Sequence, residues 1–528
     1  LADVTGTGCA CACNVVIGAT APATHDRSNA RGRQGFERDA IDGLRAKGEG
    51  EAYNMPMNPL LRAWRPLAAV VCLVSVSLAA TTVRRPLPSR SGATRAMSVT
   101  TAPQRATLAL VGGTLIDGHG GTPVPNSVVL VDGTRIVAVG RVGQLAVPAG
   151  ATVVSTDGQY VLPGLWDMHV HVMLVGHGNY AHWDSVSPPE WERSIIPAAA
   201  RQSVMNGVTS IRDLGGPLEE ILSVRGKIER GELVGATIYT SGPFLQHAPY
   251  PGTERFRWGI SSPADARAKV KKLADAGVNV IKLIDQDQMT KDEIRAVVDE
   301  AHARKLPVVA HAHRPEEVRL GLEMGVDDFE HTGMQASPGY PDDVLRVLHE
   351  RTAQGAKGPL WWTPTIDVLT NYTKRRDDDE YLDDPRWYQY LPPALVQDIR
   401  SSLRRLDTLQ YYRLVPDRGP TLQTKFRQLR QSGARLLIGT DAGVPGNFHG
   451  YATAEEMVTW VRQYGMDPME TIRAATFWPA MSLGLQDKVG TVSVGKTADI
   501  ITVRENPLTT IETFRNVQTV IKHGKRVK

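Results

Sequence analysis

LWDMHVH, residues 165–171, is the stretch on which the fold turns. Read as a strand, it puts His169 and His171 on one face, because side chains alternate along an extended chain. Seven further strand-like runs follow, with helical segments between them: VTSIRD (208–213), TIYTSG (237–242), NVIKLI (279–284), PVVAHAH (307–313), VDDFEH (326–331), LWWTPT (360–365) and RLLIGTD (435–441). Strand alternating with helix is the rhythm of a parallel sheet, and eight strands close a barrel. One connecting helix is well marked. Ser262 caps it, Pro263 suits its first turn, Val270, Leu273 and Ala274 make an apolar stripe, and Gly277 ends it. The expected fold class is therefore α/β, a (β/α)8 TIM barrel over residues 161–485.

Outward from the barrel the texture changes. ATLALVGGTLIDG, SVVLVDGTRIVAVG and ATVVSTDGQYVL alternate apolar and polar residues between Gly and Asp turn signals, and the pattern returns in KTADIITVREN and NVQTVIKHGKRVK. Half-sheets at opposite ends of a chain tend to meet, so residues 105–160 and 486–528 are expected to build one small β-sandwich.

Residues 1–54 are rich in Gly, Ala, Arg and Asp without a sustained apolar period, and read as an upstream extension, with translation starting at Met55 or Met57. Residues 55–80 have signal-peptide order: Arg62 and Arg65, then the apolar run LAAVVCLVSVSLAA ending in small residues. That run is shorter than the roughly 20 residues a spanning helix needs. The expectation is a secreted or periplasmic protein with no stable membrane span after cleavage, preceded by a Pro-, Ser- and Arg-rich linker at 81–104. All four cysteines (Cys9, Cys11, Cys13, Cys72) precede the cleavage point, which leaves no disulfide, thiolate ligand or thiol nucleophile. A net charge of +4 over 528 residues, with Lys and Arg scattered among Asp and Glu, gives no reason to expect nucleic acid as a partner.

A His-x-His pair at a strand end is by itself a weak sign of metal. It gains weight because Lys282, His311, His331 and Asp441 all fall on expected barrel strands, and barrel enzymes carry their chemistry at the C-terminal strand ends. A lysine inside the apolar run NVIKLI is costly as an ammonium, and burial favours the neutral amine. Such an amine captures carbon dioxide to become a carbamate, an anionic two-oxygen bridge.

The motifs LPGLWDMHVHV, VNVIKLI, VVAHAH, FEHTG, IGTDAG and VGKTADIITV together resemble the amidohydrolase superfamily, in particular its imidazolonepropionase-like and prolidase-like members; the likeness covers about residues 105–528. It implies that His169 and His171 hold a buried metal with Asp441, that His311 and His331 hold an outer metal, and that carboxylated Lys282 bridges the two. Zinc suits the donors best, although manganese, cobalt or iron fits the same set. The expected reaction is cleavage of a C–N amide bond by a metal-bridging hydroxide, with Asp441 relaying the proton to the leaving nitrogen. The expected partner is a small-molecule amide or peptide that bears a carboxylate, such as a dipeptide or an N-acyl amino acid; self-association into a homo-oligomer stays open.

His313 shares a face with His311 and either donates to the substrate or serves as a supporting hydrogen-bond partner. Tyr239, His247, Tyr250, Arg255 and Arg257, at or after the third strand, are the candidate substrate residues. The long stretch between strands seven and eight is either a lid or a solvated insertion, the latter being the better reading of its charge run; Trp361 and Trp362 are expected in the core. Two rival readings are a cyclic-amide hydrolase or deaminase, whose relatives commonly use one metal without the bridging lysine, and a non-catalytic barrel that acts as a binding module.

Overall fold

Each of the eight expected runs contains a strand: β1 (Leu165–Val170), β2 (Val208–Asp213), β3 (Thr237–Thr240), β4 (Ile281–Leu283), β5 (Val308–His311), β6 (Asp328–Glu330), β7 (Trp361–Thr363) and β8 (Arg435–Leu436). The computed structural model describes residues 105–333, 336–353, 359–371, 375, 378–406 and 409–528. The upstream extension (1–54), the leader (55–80) and the linker (81–104) lie outside the described residues.

Pairing is parallel throughout, with β1–β2–β3 in one sheet and β4–β5–β6–β7–β8 in another. The sheets part where the third strand bends at Gly242, whose φ of 63° suits glycine. Beyond the bend the chain resumes as Phe244–Gln246, which pairs with β4 through Leu245 and Leu283, while the Asn279 amide donates to the Thr240 carbonyl at 2.8 Å. At the other seam the Met168 amide donates to the Ile438 carbonyl at 2.9 Å, the Asp441 amide donates to the His169 carbonyl at 2.8 Å, and Val170 bridges Ala442. The architecture is a TIM-barrel-type α/β fold. Its eight strands form two sheets, not the single continuous ladder that the sequence suggested.

Local chemistry explains the helix that leads into β4. In Pro263–Ala276 the Asp265 amide donates to Ser262 Oγ at 3.2 Å, Pro263 occupies the first turn, and Gly277 closes the helix with φ 85°. Ala266, Val270 and Leu273 are buried, so this face orients the strand that carries Lys282.

The chain ends do meet. Ile500–Val503 pairs antiparallel with Tyr160–Pro163, in a five-stranded sheet with Thr114–Leu115, Thr519–Lys522 and Lys525–Arg526. A four-stranded sheet of Leu108–Val111, Ser127–Asp132, Arg135–Arg141 and Thr152–Ser155 accompanies it. Leu110, Val129 and Val131 of one sheet share an apolar cluster with Val161, Ile500 and Ile521 of the other.

Between β7 and β8 the chain forms short helices, including Pro393–Leu403 and Leu422–Gln431. The charge run there is not uniformly solvated. Asp379 and Asp383 pair with Arg404 at the surface, whereas Arg375 is buried against Asp367. Trp361 and Trp362 are core residues, as expected. Among the described residues no helix is long and apolar enough to cross a membrane.

Candidate metal centre

All six residues expected to hold metal are buried at the C-terminal ends of the barrel strands. On β1 and just beyond it, His169 Nε2 and His171 Nε2 lie 3.6 and 3.2 Å from Asp441 Oδ1. Across the barrel, His311 Nδ1 lies 3.1 Å from His331 Nε2 and 3.5 Å from Lys282 Nζ. The two groups adjoin, since the His169 and His331 rings are 4.8 Å apart. Each group has a third member within reach: Asp441 in the first, and in the second His313, whose ring stacks on His331 at 4.4 Å.

The donors suit a cation. Burial holds His169, His311, His313 and His331 well below the usual imidazole range, so each ring is neutral and offers a lone pair. The buried Nε2 atoms of His169 and His171 make no hydrogen bond. Two residues of these clusters also sit in uncommon backbone: Asp441 has φ 60° and His331 has φ 74°, a region that L-residues adopt at a cost of order 1–3 kcal/mol.

Supporting side chains fix the rings. Glu330 Oε2 is 2.6 Å from His169 Nδ1, and Thr365 Oγ1 is 2.7 Å from His331 Nδ1. Arg212 donates to Glu330 at 2.7 Å, to Asp328 at 2.6 Å and to the Met168 carbonyl at 2.6 Å. Burial raises the Glu330 carboxyl, and Arg212 opposes that rise. Asp167 accepts from the Thr440 hydroxyl at 2.7 Å and the Thr453 hydroxyl at 2.8 Å, tying β1 to the chain beyond β8; burial pushes its carboxyl up to about 6. The sequence reading missed Arg212, Asp328, Glu330 and Asp167. Only Asp328 and Glu330, charged residues two apart on one strand and so facing the same way, carried a local sign of an interior partner, and it did not say which partner.

Candidate substrate residues separate clearly. Tyr239 stacks on Trp166 at 5.0 Å and packs against the apolar core, so its ring is occupied by packing. His247 is exposed, and Arg255 is exposed, pairs with Glu220 and covers the Trp191 ring at 4.7 Å. Tyr250 is half-buried under Arg257, whose guanidinium lies 5.3 Å from its ring. Arg257 itself is buried and pairs across from Phe244.

A TIM-barrel-type fold with histidine and aspartate clusters at its strand ends defines a metal-binding hydrolase. Residues 160–527 match the profile of the Amidohydrolase family, and the chain belongs to that family. It is 25% identical over 508 residues to ochratoxinase of Aspergillus niger, covering 88% of this chain and 93% of the relative. It is 23% identical over 393 residues to imidazolonepropionase of Sphingopyxis alaskensis, covering 71% and 86%. Among solved structures, a Xaa-Pro dipeptidase with methionine bound in its active site superposes with a TM-score of 0.62 at 24% identity, covering 80% of this chain and 99% of the other. The protein is a hydrolase that acts on amide C–N bonds.

Proposed function

We propose that this protein is a binuclear metal-dependent amide hydrolase, with His169, His171 and Asp441 holding one divalent ion, His311 and His331 the other, and carboxylated Lys282 joining them. The observation that carries this reading is the burial of Lys282 among four neutral histidines, with its Nζ 3.5 Å from His311 Nδ1. An ammonium there has no solvent, whereas addition of carbon dioxide to the free amine releases a proton and leaves an anion beside the ligands. Neutral imidazoles with carboxylate oxygens favour zinc.

Two divalent ions held at these residues would supply a hydroxide near neutral pH and would polarise the substrate carbonyl. Asp441, 3.2 Å from His171 Nε2, takes the proton released on attack and hands it to the leaving nitrogen. His313 is neutral and buried, neither ring nitrogen has a hydrogen-bond partner, and its one N–H is free to donate to the carbonyl oxygen. The residual positive charge of such a centre suits an oxyanion. The substrate class is a small amide that carries a carboxylate, a dipeptide or an N-acyl amino acid. We also take the two small sheets as the layers of one β-sandwich.

Metal analysis of the purified protein tests the reading, with a screen of dipeptides, N-acyl amino acids and lactams in bicarbonate. The expected result is two ions per chain and turnover of an open-chain amide, both lost in Lys282→Ala. One tightly bound ion with unmodified Lys282 overturns the binuclear reading. A folded Lys282→Ala protein with unchanged metal content and turnover removes Lys282 from the centre.

A further inference from the structure

Arg257 is 1% exposed, and its Nε and Nη2 have no hydrogen-bond partner. Its one side-chain bond is from Nη1 to Gln246 Oε1 at 2.7 Å, which is neutral. Among the described residues its one side-chain hydrogen-bond partner is that amide, and the half-buried Asp184 carboxyl responds to its charge, Arg257 lowering it against the rise that burial causes. The surroundings are aromatic: the guanidinium lies 4.8 Å from the Phe244 ring, 5.3 Å from Tyr250 and 5.6 Å from Phe256.

Magnitudes decide what this means. A cation over an aromatic face gains about 0.5–2 kcal/mol, while a buried, unpaired ion costs several kcal/mol. The rings alone do not offset the burial, and an anion that reached the two idle donors would.

Position says which anion. Arg257 pairs directly across from Phe244, on the continuation of the third strand that runs beside β4 and Lys282. The same Phe244 ring lies 5.7 Å from the His171 ring, centroid to centroid. The idle guanidinium and a proposed metal ligand therefore neighbour the same aromatic ring. In both a dipeptide and an N-acyl amino acid, the carboxylate sits one carbon from the leaving nitrogen, so it is the substrate anion nearest the scissile bond.

Resting on the hydrolase reading above, we infer that Arg257 takes the α-carboxylate on the amine side of the scissile amide and makes the enzyme require it. A guanidinium binds a carboxylate through two parallel N–H donors, and its free Nε and Nη2 are the pair that does so side-on. His313 is thereby left for the carbonyl oxygen.

Calorimetry on the metal-loaded full chain tests this without turnover, using a panel of L-amino acids and the corresponding amino-acid amides as product analogues. The wild type is expected to bind at least one acid about 100-fold more tightly than its amide. Arg257→Met is expected to lose that preference to within about threefold while keeping its metal content, and Arg257→Lys to retain only about tenfold, since an ammonium cannot form the forked pair. The inference is overturned if the wild type shows no preference for acid over amide, or if Arg257→Met keeps it. Should Arg257→Met fail to fold, an undiminished preference in Arg257→Lys overturns it equally. A wild type that prefers acids through Arg257 but cleaves no amide refutes the hydrolase reading alone.

Discussion

His169 Nδ1 and Glu330 Oε2 lie 2.6 Å apart, both fully buried, and this contact sets which nitrogen of His169 faces the proposed metal. With Nδ1–H donating to the carboxylate, Nε2 keeps its lone pair toward Asp441. Glu330 is held in turn by Arg212, which spans from β2 to β6 and also binds Asp328. His169 on the first strand is thus oriented from the sixth, through charges outside the histidine and aspartate clusters.

Glu330→Gln should therefore weaken metal binding without removing a ligand. The amide oxygen can still accept from His169, but the NH2 group then faces the Arg212 guanidinium, donor against donor. We expect metal affinity to fall about 10- to 100-fold, as for other partners of metal-bound histidine. Retention of zinc against a graded chelator series is the readout, and wild-type retention would show that His169 is oriented by something else.

Gly439 permits the approach of the chain after β8 to β1. A Cβ there would stand 2.3 Å from Thr363 Cγ2, 2.8 Å from the His169 amide nitrogen and 3.1 Å from His169 Cβ. Gly439→Ala must push β1 and β7 apart at the ligand. Overpacking of this kind costs about 1–3 kcal/mol, so a lowered unfolding midpoint with reduced metal content is expected. A variant as stable and as fully metallated as the wild type would contradict the close packing.

Lys425 makes stability depend on alkaline pH. Burial, with Arg418 adding to it, pushes its amine down to about 8 from an ordinary value of 10.5. Between those values the unfolded chain holds more protons than the folded one, so stability rises with pH across that window, and below it the cost of burying the cation is fully present. Lys425→Met removes the cost. The gain in melting temperature over wild type should be largest near pH 7 and shrink as the pH approaches 10; a gain that is constant or grows with pH argues against it.

Much of the site was legible before any coordinates. His169, His171, Lys282, His311, His331 and Asp441 stand out because polar side chains inside apolar strand runs need an interior reason, and the structure brings them together. Arg212, Glu330 and Asp328 escaped notice because a charge is ambiguous until its partner on another strand is known. Tyr239 stands on the third strand as expected, and that its ring packs on Trp166 was not readable from its local sequence. Arg255 and Arg257, two positions apart, ended in opposite settings, one paired at the surface and one buried without a carboxylate.

The order of strands and helices, the meeting of the two chain ends and the family were written in the sequence, because periodicity and turn chemistry act over a few residues and survive without the fold. The bend at Gly242 that divides the sheets, the Arg212 network behind His169 and the idle Arg257 guanidinium came only from the tertiary structure. Each depends on residues tens to hundreds of positions apart arriving within a few ångströms, and no local pattern encodes that distance.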